Sequence, residues 1–131
     1  IATDHAPHTM EEKCQPYPQA PPGFSGFDFA YPMLNSYLRG KIPPEKIFEL
    51  MIAGPAKILR RPLPLLQKGS VANFLLIDEM AEFEPEPENI YSRGKNSPLL
   101  HQKLYGKVMK HFIGKVVYKH LLKYSAENFA D

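Results

Sequence analysis

The chain has 131 residues, 44% of them hydrophobic and 23% charged, with a formal net charge of +2. That composition is globular, and with no basic run longer than Arg60-Arg61 it gives no electrostatic footprint for nucleic acid. No apolar stretch approaches the roughly 18 residues of a membrane helix, the first residues lack the regions of a signal peptide, and the single cysteine, Cys14, precludes an internal disulfide and fits a cytoplasmic protein.

Ile1-Ala2-Thr3 reads as the last residues of a buried strand. Residues 5–26 read as a long loop rich in proline and glycine. A loop of that length in a compact domain is usually functional. Asp28 stands where a helix N-cap would. Phe27, Ala30, Tyr31, Leu34, Tyr37 and Leu38 follow at helical spacing, until Gly40 stops them. Pro43-Pro44 opens the next helix, where missing amide hydrogens cost little. Ile47, Leu50 and Met51 give it an apolar face, Gly54-Pro55 breaks it, and residues 56–59 add one more turn.

Proline is about twice as frequent as usual, at 14 residues, and its clusters punctuate apolar segments. After the Pro62/Pro64 linker, Phe74-Leu75-Leu76-Ile77 reads as a strand buried on both faces. The acidic, proline-spaced residues 78–88 read as an extended solvated linker. Residues 108–118 suggest a hairpin about Gly114, and residues 121–129 a surface helix or frayed tail. The order is strand end, active loop, helices and a small β unit. The opening strand has no partner strand in the chain, and one strand cannot make a sheet.

The chemistry concentrates at the start. Asp4 follows a strand end, which in a (β/α)8 barrel is the rim that carries catalytic side chains. A carboxylate there can bind a metal or relay a proton. His8 can reach the same cavity and hold an anionic group, and Pro7 stiffens the turn between the histidines. The same residues also suit a hydrogen-bonded turn. His5 is either a partner of Asp4 or of a metal, or a structural histidine. Within Pro21-Pro22-Gly23-Phe24-Ser25-Gly26 the glycines allow close backbone approach to a ligand, and exposed amides could bind an anion. A loop that merely turns into a helix has the same composition. His101, His111 and His120 read as surface or structural residues, and Phe27, Phe29, Tyr31 and Tyr37 as core.

Asp4-His5-Ala6-Pro7-His8-Thr9, then Glu11-Glu12-Lys13, then Pro21-Pro22-Gly23-Phe24-Ser25-Gly26 closely resembles the last barrel strand and substrate loop of the dihydroorotases, within the cyclic amidohydrolase superfamily. Gly54-Pro55-Ala56-Lys57-Ile58 resembles the family's Asn-Pro-Ala helix turn. Gly69-Ser70-Val71-Ala72-Asn73 before Phe74-Leu75-Leu76-Ile77-Asp78 is similar to its Gly-x-x-Ala-Asp-plus-strand signature. Lys95-Asn96-Ser97-Pro98, Gly106-Lys107-Val108 and Gly114-Lys115-Val116-Val117-Tyr118 resemble its closing β unit. The first block is the most specific; the later ones are shared across amidohydrolases.

The resemblance implies an α/β fold: the C-terminal part of a (β/α)8 barrel, with its last strand, active loop and helices, plus the C-terminal part of a small β-sandwich. Residues 1–62 would end the barrel, residues 63–120 would belong to the sandwich, and residues 121–131 would be a tail. It implies reversible hydrolysis of dihydroorotate to N-carbamoyl-aspartate in pyrimidine biosynthesis, with zinc as cofactor. By position Asp4 would be a zinc ligand and the general acid/base, His8 would hold the substrate carboxylate, and the Pro22-Gly23 backbone would contact substrate. Zinc lowers the pKa of bound water toward ~7, and a carboxylate can pass the released proton to the leaving nitrogen.

Three positions depart from the family pattern. Asn73 stands for a usual Asp, Asp28 for a usual Glu, and His101 for a common Gly in a turn. The family's His-x-His, carboxylated lysine and two later histidines have no counterpart. One carboxylate cannot hold zinc. The chain is therefore expected to begin in the middle of an enzyme and to be inactive alone, with the remainder of the barrel on another segment or chain. Other partners would be aspartate transcarbamoylase or a second copy. An allantoinase or hydantoinase-type cyclic amidohydrolase, or a non-catalytic dihydroorotase-like scaffold subunit, are the alternative readings.

Overall fold

The computed structural model describes residues 1–63 and 66–119. Pro64, His120 and the tail expected over residues 121–129 lie outside the described residues.

The first three residues form no strand, and Ile1 is 45% exposed. A β-branched, apolar stub needs a neighbouring strand to satisfy its backbone, and none pairs with it here. The predicted loop over residues 5–26 contains a helix, α1 (Met10–Lys13). A reciprocal capping box nucleates it: Glu12 N–H donates to Thr9 Oγ1 (3.2 Å) and Thr9 N–H to Glu12 Oε2 (2.9 Å).

A single tight turn, Phe27–Phe29, leads into α2 (Ala30–Leu38). Asp28 does not cap it. Its carboxylate accepts instead from the amides of Tyr91 (2.8 Å) and Ser92 (3.3 Å) and from the Ser92 hydroxyl. Gly40 turns the chain with φ +75° just past the helix end, as expected.

Pro43-Pro44 does open the next helix, α3 (Pro44–Phe48). The break predicted at Gly54-Pro55 is absent: one wide turn, Glu49–Ala53, carries α3 into α4 (Gly54–Ile58). A proline ring inside a regular helix collides with the carbonyl four residues back. The wide turn, in which Gly54 N–H reaches Glu49 O, relieves that crowding.

Three antiparallel strands follow in the order β1 (Asn73–Phe83), β2 (Leu104–Ile113) and β3 (Val116–Lys119). The hairpin about Gly114 is as expected, with Ile113 opposite Val116. The strand through residues 74–77 is present but not buried on both faces. A register break between Leu76 and Ile77 leaves Leu75 45% and Leu76 51% exposed. Residues 78–88 are not a solvated linker either. Residues 78–83 extend β1, and Phe83 and Pro85 are buried. Asp78, Glu82, Glu84 and Glu88 are exposed, while Phe83 joins the core of Phe29, Ile90, Leu99 and Leu104.

A second register break, between Asp78 and Glu82, receives α2. The buried Asn35 amide donates to both Glu79 O (3.0 Å) and Tyr105 O (3.1 Å). Tyr105 N–H donates to Ser36 Oγ (2.7 Å), and Tyr31 Oη donates to Glu79 Oε1 (3.2 Å). Gly106, with φ +103°, lets the strand come this close: a Cβ would sit 2.9 Å from Asn35 Nδ2 and 3.0 Å from a Tyr31 ring carbon.

Asn35→Ala strands both carbonyls and is expected to destabilise the fold by about 2–4 kcal/mol in denaturant titrations. A loss below about 0.5 kcal/mol would remove the junction from its central place. Burial, followed by the Glu79 charge, pushes the Tyr31 phenol up to about 12. An unfolded tyrosine ionises near 10, so stability is full below that pH and falls between about 10 and 12. Tyr31→Phe is expected to flatten this alkaline decline.

Candidate active site

The candidate site lies in the loop that runs from Asp4 to Phe27. Asp4 is exposed and takes the left-handed conformation, φ +48°, which aspartate tolerates better than most residues. Among the described residues no hydrogen bond or ion pair engages its carboxylate. His5 resolves as structural. Its Nδ1 accepts from the amides of Gly26 (3.3 Å) and Phe27 (3.1 Å), which assigns the neutral proton to Nε2. The ring also sits edge-on to Phe27 at 5.7 Å.

His8 Nε2 lies 3.0 Å from Pro22 O, a contact in which the ring nitrogen donates. Its Nδ1 faces Glu12 Oε2 at 3.5 Å. The Glu12 carboxyl is held below its usual range chiefly by the Thr9 backbone amide, with a smaller contribution from His8. Gly23 has φ +115°, and a Cβ there would lie 2.5 Å from Ala6 Cβ and 3.5 Å from His8 Nε2. Only glycine fits. The structure thus gathers His8, Pro22 and Gly23, while no direct bond joins Asp4 to them among the described residues.

Side chains that were quoted for the resemblance but given no role of their own hold this turn. Lys13 Nζ donates to Pro21 O (2.9 Å) and Gly23 O (2.8 Å). Asn96 Nδ2 donates to Gly23 O (3.1 Å), and Ser25 N–H donates to Asn96 O (2.8 Å). The buried Ser25 hydroxyl donates to Gly94 O (2.5 Å). The capping box was the available signal for Lys13, since a helix turn brings its side chain back over the loop. Asn96 stands 73 residues from Gly23, and no local pattern reveals such a contact. The amides of Ser25, Gly26 and Phe27 are already bonded, to Asn96 O and His5, so these three are not the exposed amides expected to bind an anion.

Elsewhere His101 pairs with Glu86 on the surface, as expected, and takes the left-handed φ of +59° that a glycine would adopt freely. No group of three or more His, Cys, Asp or Glu among the described residues could hold a metal ion. Asp4 could give one donor, so these residues do not by themselves fit zinc. No helix among the described residues is long and apolar enough to cross a membrane.

No family model matches the chain. Curated proteins do. One from Sulfurihydrogenibium sp. is 38% identical over 121 residues, which is 91% of this chain and 29% of that protein. One from Deinococcus radiodurans is 37% identical over 120 residues, with the same two shares. One from Bacillus cereus is 38% identical over 122 residues, 91% of this chain and 28% of that protein. The chain therefore spans less than a third of the length of these relatives. Over that span it is similar to enzymes of one name. All three are named dihydroorotase, and the chain resembles part of each, as its first block of residues led us to expect.

Lys13→Met removes two charge-assisted bonds from the turn, each typically worth about 1.5–3 kcal/mol in a shielded setting and less where solvent reaches it. Faster amide hydrogen exchange over residues 21–26 is the expected result. Unchanged exchange there would show that Lys13 does not hold the turn.

Proposed function

We propose that this chain is the C-terminal part of a zinc-dependent dihydroorotase that reversibly hydrolyses dihydroorotate to N-carbamoyl-aspartate in the cytoplasm. One observation carries the reading. The chain, 38% identical to a dihydroorotase over 91% of its length, has a histidine clasped to the Pro22 carbonyl beside a glycine that has no room for a side chain. In this reading residues 1–62 complete a (β/α)8 barrel, residues 63–120 form part of the appended sandwich, and residues 121–131 are a tail.

The residues divide the work simply. Asp4, exposed and unengaged, takes a proton from the water whose oxygen adds to the ring carbonyl and returns it to the amide nitrogen that leaves. The substrate carboxylate would take over the His8 ring N–H that Pro22 O accepts in its absence. The contact of His8 with Glu12 is long and solvent-exposed, hence a weak competitor for an incoming anion. The Pro22-Gly23 backbone meets the substrate where no Cβ intervenes. Zinc would need donors from beyond the described residues, so the chain alone is expected to be inactive and to bind zinc weakly. The remainder of the barrel would come from another segment or chain, and aspartate transcarbamoylase or a second copy are candidate partners.

The test is turnover by the full-length protein. Dihydroorotate should be preferred over allantoin and hydantoin, and Asp4→Asn should lower kcat by about 10²–10⁴-fold. Loss of a carboxylate anchor in His8→Ala should appear mainly in KM. Preference for allantoin or hydantoin would overturn the substrate assignment, and an Asp4→Asn variant with full activity would overturn the role of Asp4.

A further inference from the structure

We propose that Asn96 is a positioning residue: from the segment between β1 and β2, it fixes the substrate turn at Gly23 and so sets substrate affinity. The inference rests on the dihydroorotase reading and extends it to a residue outside the loop. Four contacts converge. Asn96 Nδ2 donates to Gly23 O (3.1 Å), and its own carbonyl accepts from Ser25 N–H (2.8 Å). The pair brackets Phe24 on both sides. Two residues earlier, Gly94 O accepts the Ser25 hydroxyl (2.5 Å). Gly94 also presses on the other arm of the site: a Cβ there would lie 2.9 Å from both His8 O and Pro7 Cβ, and 3.0 Å from Ser25 Oγ.

The chemistry of the amide makes the assignment specific. Gly23 O is an acceptor, so only the NH₂ end of Asn96 can face it. That orientation leaves Oδ1 buried and without a partner among the described residues. A buried unpaired acceptor is costly. Its retention argues that the bond to Gly23 O is needed where it is. Lys13 Nζ reaches the same Gly23 oxygen at 2.8 Å from the opposite end of the loop. Both lone pairs of that carbonyl are thereby engaged, and the peptide plane at Gly23 is held against rotation. That plane carries the backbone offered to the substrate beside His8.

Asn96→Asp keeps the shape, removes the donor and sets an acceptor against Gly23 O. In the full-length protein it is expected to raise KM about tenfold while kcat stays within about threefold, the pattern of lost uniform binding. Hydrogen exchange over residues 22–26 should quicken about tenfold in the same variant. Gly94→Ala, which forces the strap off Pro7 and His8, should move both readouts the same way. Phe112→Leu is the control, because it weakens the Phe74–Phe112 stack in the sheet without touching the turn. It should lower Tm with KM unchanged.

If Asn96→Asp leaves both KM and exchange at wild-type values, or changes them only as Phe112→Leu does, the proposal fails. If exchange quickens but KM holds, the clamp exists and its role in affinity is refuted. If the wild-type protein does not turn over dihydroorotate at all, the functional reading falls. Exchange then decides whether Asn96 holds the turn.

Discussion

One side-chain amide, that of Asn35, serves two backbone carbonyls, and the relation between helices and sheet follows from it. Where the β1–β2 ladder loses register, Glu79 O and Tyr105 O both take their proton from Asn35 Nδ2. A buried carbonyl without a donor is expensive, so the break is tolerable only if α2 lies across it. That condition fixes the height of the helix over the strand, and Gly106 must lack a side chain to allow it. Phe29 and Met33 then face Phe83, Leu99 and Leu104 across a core that neither element closes alone.

The same docking brings distant chain to the site. With α2 seated, the excursion between β1 and β2 runs back past the start of the helix. Asp28 holds Tyr91 and Ser92 there, and Ser25 meets Gly94 and Asn96. The loop that contains His8 and Gly23 is thus stiffened from two directions. Lys13 and the capping box act from within it, and the strap acts from without. A loop of this length with so few regular elements would otherwise lose its shape to conformational entropy.

The helical segment from α3 to α4 tells a complementary story. Ile52, Ile58 and Leu59 stand in solvent, and Ile1, Leu50 and Pro55 line a shallow groove of about 440 Å³ beside them. Apolar surface gathered in this way ordinarily meets other protein. The relatives that the chain matches are more than three times as long as the matched stretch.

Pattern and position were legible early where the cause is local. Pro43-Pro44 opened a helix, Gly40 ended one and Gly114 turned a hairpin, because dihedral preference acts within a few residues. The resemblance of the first block to dihydroorotases was equally visible, since it resides in residue identity. Burial and partnership were not. Asp28 looked like a cap and became a tie to Tyr91 and Ser92, 63 and 64 residues away. Leu75 and Leu76 looked buried until a register break turned them outward, and residues 78–83 looked like a linker until Phe83 found the core. The sequence alone determined which segments could turn, which could form helix, and which known proteins the chain resembles. Tertiary structure alone decided what each side chain meets, because a contact depends on the geometry of chain many residues away, which no local spacing encodes.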